Sequence, residues 1–145
     1  MKTTVSLEKE VSCRVTNSVL RYMESLGYDT DSIVEGLPYS KEYLMDPFNW
    51  ITDALRETMF ERTIRLVDDE AVMYLVGLAT PKLNSLGGIE YIVRLLGTPK
   101  MAYKNVPKYA NYLDRVFKFK TDLVDDTKAV VTMSLPQGYP ASKSA

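Results

Sequence analysis

The fold class of this chain is decided by residues 117–135, which read Phe-Lys-Phe-Lys-Thr-Asp-Leu-Val-Asp-Asp-Thr-Lys-Ala-Val-Val-Thr-Met-Ser-Leu. Residues 117–123 and 129–135 have the two-residue period of β-strands, and the Val-Asp-Asp-Thr stretch between them is typical of a turn. The pattern predicts an antiparallel β-hairpin whose Lys118, Lys120 and Asp122 lie on a polar face. Its apolar face is expected to contain Phe117, Phe119, Leu123, Val131, Met133 and Leu135.

The sequence before the hairpin has helical periodicity from about residue 12 to residue 115. We expect helices over residues 12–26, 33–37, 40–45, 47–66, 68–79, 89–96 and 107–116, after an extended arm or edge strand through Val5 and Leu7. Two prolines set boundaries in this prediction, because Pro47 is expected to begin a helix and Thr98-Pro99 to end one. The helix over 68–79 is apolar nearly all round and is therefore expected to be central. The predicted class is α+β, a mostly helical body followed by a C-terminal antiparallel β-hairpin.

A two-stranded hairpin is only marginally stable alone in water, so the sequence raises the question of what completes it. We expect its apolar face to pack on the helices. Its open edges would then be completed by the helical body, by a second copy of the chain, or by sequence beyond Ala145. The third alternative leads us to expect that residues 1–145 are one domain and the N-terminal fragment of a larger protein.

Composition narrows the class of protein. The net charge of −1 argues against a general nucleic-acid-binding surface, which needs clustered lysine and arginine. No apolar run approaches the roughly 20 residues of a membrane span, and the first ten residues lack the apolar core of a secretory signal. The single cysteine, Cys13, excludes an intrachain disulfide and suits a reducing compartment. We therefore expect a cytoplasmic protein.

The chain has no histidine, which removes the commonest metal ligand and the commonest general base. Cys13 has no partner residues for a zinc site, and Gly87-Gly88 lacks the spacing of a phosphate-binding loop. The acidic runs at 68–70 and 125–126 suit a helix start and a turn. We therefore expect no catalytic residue, no metal site and no cofactor.

Ten tyrosines and seven methionines are the remaining chemical signal. Side chains of these types line small-molecule pockets and partner surfaces, and they also fill cores. Arg94 stands inside an apolar helix, where its guanidinium must find a carboxylate, a ligand anion or solvent. The candidate ligand-binding residues are Trp50, Met59, Tyr74, Tyr91, Arg94 and Tyr109. The alternative is that they fill the core and that Arg94 pairs with an internal acid.

Residues 49–135 resemble, in the order and length of their segments, the effector-binding region of arabinose-binding-type AraC-family regulators. They resemble haem–nitric-oxide-binding-like sensors more loosely. The matching segments are Asp69-Glu70-Ala71, Gly77-Leu78-Ala79, Ser85-Leu86-Gly87 and the hairpin over 116–135. The absence of histidine departs from the haem-binding family and argues against haem.

The resemblance implies a non-enzymatic sensory or regulatory input domain of a bacterial signalling protein. Such a domain would bind a small molecule, or relay a signal to a downstream output module. The alternative is a protein–protein interaction or dimerisation module without a ligand. The expected partners are a small-molecule ligand and either a second copy of the chain or a downstream domain of the same protein.

Overall fold

The computed structural model describes residues 8–83, 85 and 98–136. The predicted α+β class, a mostly helical body followed by an antiparallel hairpin, is confirmed. The described helices are α1 (Cys13–Ser25), α2 (Asp31–Val34), α3 (Lys41–Met45), α4 (Asp53–Val67), α5 (Val72–Ala79) and α6 (Pro99–Ala110), with a 3-10 turn over Thr80–Lys82. The described strands are β1 (Val11–Ser12), β2 (Trp50–Ile51), β3 (Lys118–Leu123) and β4 (Ala129–Ser134). The predicted arm through Val5 and Leu7 and the predicted helix over 89–96 lie outside the described residues.

The start of α4 corrects the prediction that this helix begins at Pro47. The Thr52 side chain accepts a hydrogen bond from the Leu55 amide at 3.3 Å, so the helix begins at Asp53. The two residues before this cap are extended as β2, and Ile51 pairs with Val11 of β1 in an antiparallel register. Pairing with a distant segment therefore prevents the helix from starting earlier.

The start of α6 corrects a second boundary. Thr98 accepts a hydrogen bond from the Met101 amide at 3.3 Å and caps this helix, which begins at Pro99. Proline suits a first helical position because the amide there has no partner within the helix. The helix continues through Pro107 and ends at Ala110, so the predicted helix over 107–116 was wrong.

The core is built around α1, which packs against α3, α4 and α5. The largest fully buried apolar side chains of the core are Val11, Val19, Leu20, Met23, Ile33, Leu44, Ile51, Met59, Val72 and Val116. The expectation that α5 is central was wrong. Only Val72 and Val76 of this helix are buried, and Tyr74, on its outer side, is 69% exposed.

The hairpin has the predicted apolar and polar faces. Phe119 is opposite Met133, and Thr121 is opposite Val131, so the predicted apolar side chains share one face. Helix α6 packs mainly on β3 and less on β4. The expectation that helices cover this face is therefore met only in part, because Val131 and Met133 remain exposed.

Candidate interaction surface

The hairpin is joined to the helical body beside β1. The Ser12 amide donates to the Leu113 carbonyl oxygen at 2.8 Å, and the Arg115 amide donates to the Glu10 carbonyl oxygen at 2.9 Å. Val11 also forms an antiparallel bridge with Asp114. Because β1 already pairs with β2, residues 113–115 lie along its other edge. The chain is thus held in place just before the hairpin begins.

A buried charge cluster reinforces this junction. Arg56 is 4% exposed, and its Nη1 donates a hydrogen bond to the Oδ2 of Asp114. Its Nη2 donates to Glu57 at 3.0 Å and forms an ion pair with Asp53. The other oxygen of Asp114 accepts a hydrogen bond from the Val116 amide at 2.8 Å. Helix α4 is therefore tied to the first residues of the hairpin through a single guanidinium.

The carboxylates of this cluster have perturbed ionisation. Burial raises the pKa of Asp53 and of Asp114, and the positive charge of Arg56 opposes the rise at both residues. The negative charges of Glu57, Asp114 and Glu10 add to the rise at Asp53. No group of three or more metal-ligating side chains suited to a metal ion occurs in the described ranges. The contacts of the cluster with α4 and with the start of the hairpin support a structural role at the junction.

The apolar face of the hairpin lies on the side that carries α6 and is only partly covered. We call the hairpin surface the face formed by Phe119, Leu123, Val131 and Met133, together with Tyr103 of the adjacent α6. Met133 is 53% exposed and Tyr103 is 48% exposed. A groove of about 220 Å³ brings Tyr103 close to Leu123 at the hairpin tip. An exposed apolar face of this kind is typical of surfaces that contact another molecule.

The tip of the hairpin is polar and locally ordered. Asp125 accepts hydrogen bonds from the amide and the hydroxyl of Thr127, both at 2.7 Å, and these bonds lower the pKa of its carboxyl. Lys100, at the start of α6, forms an ion pair with Asp126. Three of the charged side chains that border the tip groove, Lys100, Asp125 and Asp126, therefore already have partners.

A second groove of about 250 Å³ lies among α1, α4 and α5. Its described lining is mostly apolar and consists of Val15, Ser18, Val19, Phe60, Met73, Val76, Gly77, Thr80 and Leu113. The Ser18 and Thr80 hydroxyls in this lining donate to helix carbonyl oxygens of Arg14 and Val76. Ligand pockets combine an apolar lining with a few polar groups that orient the ligand. These two hydroxyls are already engaged within the protein.

The predicted ligand-binding residues lie in different surroundings. Met59 is fully buried in the core, whereas Tyr74 is on the exposed side of α5. Trp50 and Tyr109 are half-buried, and the Arg115 guanidinium stacks on the Trp50 ring at 4.3 Å. None of these four lines either of the two grooves described above.

The other two predicted ligand-binding residues, Tyr91 and Arg94, lie outside the described residues. A ligand-binding role for the set of six stays a prediction.

The one cysteine is not a reactive group in this fold. Cys13 is fully buried at the start of α1, and burial raises the pKa of its thiol to about 11. A thiol in this state is protonated at neutral pH and is a poor nucleophile.

Among the described helices, none is both long enough and apolar enough to cross a membrane.

Sequence reasoning missed the Arg56 cluster. Its local signal is the three-residue spacing of Asp53 and Arg56, which places both on one side of a helix. Arg56 also shares the inner face of α4 with Met59 and Thr63. A charged residue at such a position indicates a buried ion pair. Its main partner, Asp114, is 58 residues away in sequence, so no local pattern could identify it.

No protein-family model, curated protein or solved structure matches this chain. The resemblance to arabinose-binding-type regulators, and the sensory function that it implies, therefore stay predictions.

Proposed function

We propose that this chain is a non-catalytic protein-interaction module that docks a partner on the hairpin surface. The observation that carries the proposal is the exposure of Val131 and Met133 on the same face as Leu123. Leaving such side chains in water forgoes roughly 25 cal/mol of stabilisation for each Å² that a partner would cover. The proposal includes a reducing, cytoplasmic location, which suits the single unpaired cysteine.

The junction supports this proposal because it fixes the hairpin before any partner binds. Asp114 and Arg56 hold the first residues of the hairpin against α4, and α6 packs on β3. A surface that is already in its binding conformation avoids much of the ordering cost of association. The exposed part of the hairpin surface is therefore held in position before a partner binds.

Photo-crosslinking tests the proposal with a matched pair of positions. A photoreactive phenylalanine analogue placed at Met133 should give discrete adducts in purified protein or in an extract of the source cells. The same analogue at Glu61, an exposed position on α4, serves as the control. Adducts at Met133 and none at Glu61 are expected. The same adduct pattern at both positions, or no adduct at Met133, would contradict the proposal.

The second candidate function is the sensory domain implied by the resemblance, and the groove among α1, α4 and α5 is the observation that favours it. Gly77 offers a direct test, because a side chain added there enters open space within this groove. A small apolar ligand that raises the melting temperature of the natural chain should have no such effect on Gly77→Met. The same shift in both chains would place the ligand elsewhere.

A further inference from the structure

Within the part of the chain that the structure describes, the outer edge of β4 has no feature that would block pairing with another strand. Natural edge strands are usually guarded by lysine, proline, a bulge or a covering element. Strand β3 has Lys118, Lys120 and Asp122 and is supported by α6, whereas β4 reads Ala-Val-Val-Thr-Met-Ser, without charge or proline. From Val130 to Ser134 every residue of β4 is exposed. An uncharged, β-branched edge strand of this kind pairs readily with another strand.

The hydrogen-bond pattern identifies which groups of β4 point outward. The Val124 amide donates to the Lys128 carbonyl oxygen at 3.0 Å, so this pair at the tip is of the hydrogen-bonded type. The two types of pair alternate along an antiparallel ladder, which makes Asp122–Val130 the next hydrogen-bonded pair. The amides and carbonyls that point away from β3 therefore belong to Ala129, Val131 and Met133.

We propose that two copies of this chain join their β4 edges in an antiparallel, two-fold symmetric pair centred on Val131, which forms a four-stranded sheet. This inference rests on the proposed function and names the partner as a second copy. A two-fold axis that relates two antiparallel edge strands is perpendicular to the sheet, so each residue stays on its own face. Such an axis can pass through a hydrogen-bonded or a non-hydrogen-bonded pair, so the possible registers differ in how many hydrogen-bonded pairs they form.

The register centred on Val131 forms the largest number of hydrogen-bonded pairs within β4. With Val131 opposite Val131 of the second copy, Ala129 lies opposite Met133, and all of these residues have outward-pointing backbone groups. This register has three hydrogen-bonded pairs, Val131 with Val131 and Ala129 with Met133 twice, whereas a centre at Val130 or Thr132 leaves only two within Ala129–Ser134. The pairing has no charge repulsion, because β4 has no charged residue.

The side chains favour the same arrangement. Because each residue keeps its face, Val131 and Met133 of both copies would lie together on the side that carries α6. They would then fill the space between the two α6 helices, each of which packs mainly on its own β3. The polar face with Lys118, Lys120 and Asp122 would stay in solvent. The exposed half of the hairpin surface and the open edge would thus be covered by one partner.

Sedimentation of the purified chain and of two proline variants tests the proposal. Val131→Pro removes an outward amide from β4 while leaving the bonds to β3 intact. Thr121→Pro is the matched control, because Thr121 lies opposite Val131 and its amide points to the other edge of the hairpin. We expect the natural chain and Thr121→Pro to be dimers. In Val131→Pro the dimer dissociation constant should rise by about 100-fold, since each dimer loses two backbone hydrogen bonds and its central packing.

Disulfide trapping tests the register and does not depend on the proline variants folding. Val130 and Thr132 of the second copy would form a non-hydrogen-bonded pair with Cα atoms about 4.5 Å apart, within disulfide range. Mixing Val130→Cys chains with Thr132→Cys chains under oxidation should give covalent dimers, whereas Val130→Cys chains alone should not. Dimers that cross-link equally in both samples would overturn the register.

The outcomes separate this inference from the proposed function. A natural chain that is monomeric in sedimentation overturns the β4 pairing, whether the edge is covered by other sequence of this chain or by solvent. Dimers that persist in Val131→Pro overturn it as well. In either case, adducts at Met133 with another protein would leave the proposed interaction function standing. Absence of adducts at Met133 would overturn both.

Discussion

The helical body and the hairpin differ in how far they cover their own apolar side chains. In the helical body, α1 buries Leu20 and Met23 completely between neighbouring helices. In the hairpin, Val131 and Met133 lie on the predicted apolar face and are nevertheless exposed. A helix forms its backbone hydrogen bonds internally, so only its apolar face has to be covered by neighbouring elements. A strand also needs a partner along each edge, and a two-stranded hairpin leaves two edges open.

The Arg56 cluster stands at the boundary between these two regions and has features of both. Its guanidinium packs 5.2 Å from the ring centroid of Phe117, at the start of the hairpin, and pairs with carboxylates of α4 and Asp114. Arg56 is therefore buried as deeply as the core residues, and its hydrogen bonds and ion pairs fix the position of the exposed hairpin. The predictions below test this difference, starting with the largest expected effect.

Replacing Arg56 by methionine should destabilise the protein most. The substitution would leave the buried carboxylates of Asp53 and Asp114 without their cation, and such a loss costs about 3–5 kcal/mol. Urea unfolding measures the change in the free energy of unfolding. Arg65→Met, at an exposed position of the same helix, is the control and should change it by less than about 0.5 kcal/mol. Equal effects would mean that the cluster does not hold the junction.

Truncating side chains in each region measures the difference in packing directly. Leu20→Ala in the core should lower the free energy of unfolding by about 2–5 kcal/mol, because it leaves a cavity. Val130→Ala, which removes a side chain that is 52% exposed, should lower it by less than about 1 kcal/mol in dilute solution. Urea unfolding of both variants gives the comparison. A large loss for Val130→Ala would show that the hairpin is covered within a single chain.

Local sequence patterns predicted the elements that depend on local physics. The two-residue period over 117–135 predicted β3 and β4 to within one residue at the ends that differ, because alternation requires only that one face be apolar. The prolines were harder to interpret, since proline is favoured both at the first helical position and just after a helix. Pro47 was predicted to begin a helix and does not, whereas Pro99 was predicted to follow one and begins α6.

The features that local sequence patterns did not predict depend on contacts between segments that are far apart in the chain. Trp50 and Ile51 fit an amphipathic helix, but they pair with β1 as a strand. Ser12 lies opposite Trp50, 38 positions away, and Val11 lies opposite Ile51, 40 positions away. The Arg56 cluster likewise joins residues far apart in sequence, so only the Asp53–Arg56 half of it had a local signature.

The raised pKa of Asp53 predicts the direction in which the free energy of unfolding changes with pH. Burial raises the pKa of this carboxyl in the folded state above its ordinary value of 3.8, so the folded chain holds the proton more tightly than the unfolded chain. Its contribution to stability is therefore complete below the unfolded pKa and is lost as pH rises through the folded pKa. The free energy of unfolding of the natural chain, relative to Asp53→Asn, should increase as pH falls from 7 towards 4.

Asp125 at the hairpin tip provides the control for that measurement. Its hydrogen bonds from Thr127 lower the pKa of its carboxyl, so its contribution is present above the unfolded pKa and is lost as pH falls through the folded pKa. The difference between the natural chain and Asp125→Asn should therefore decrease on acidification. Urea unfolding at several pH values measures both differences. The same sign for both residues would contradict the assignment of burial as the cause at Asp53.

The smallest expected effects come from glycine substitutions in the helical body. Gly77 lies inside α5 with no atom within 4 Å of an added Cβ, so Gly77→Ala should raise the free energy of unfolding by about 0.5–1 kcal/mol. Gly27, which follows α1 with a φ of 82°, is the control, and Gly27→Ala should lower it by roughly 1 kcal/mol. Thermal unfolding of both variants decides between these signs. A loss of stability for Gly77→Ala would mean that the added methyl group meets other atoms in the folded chain, so that the groove beside α5 is not open at this position.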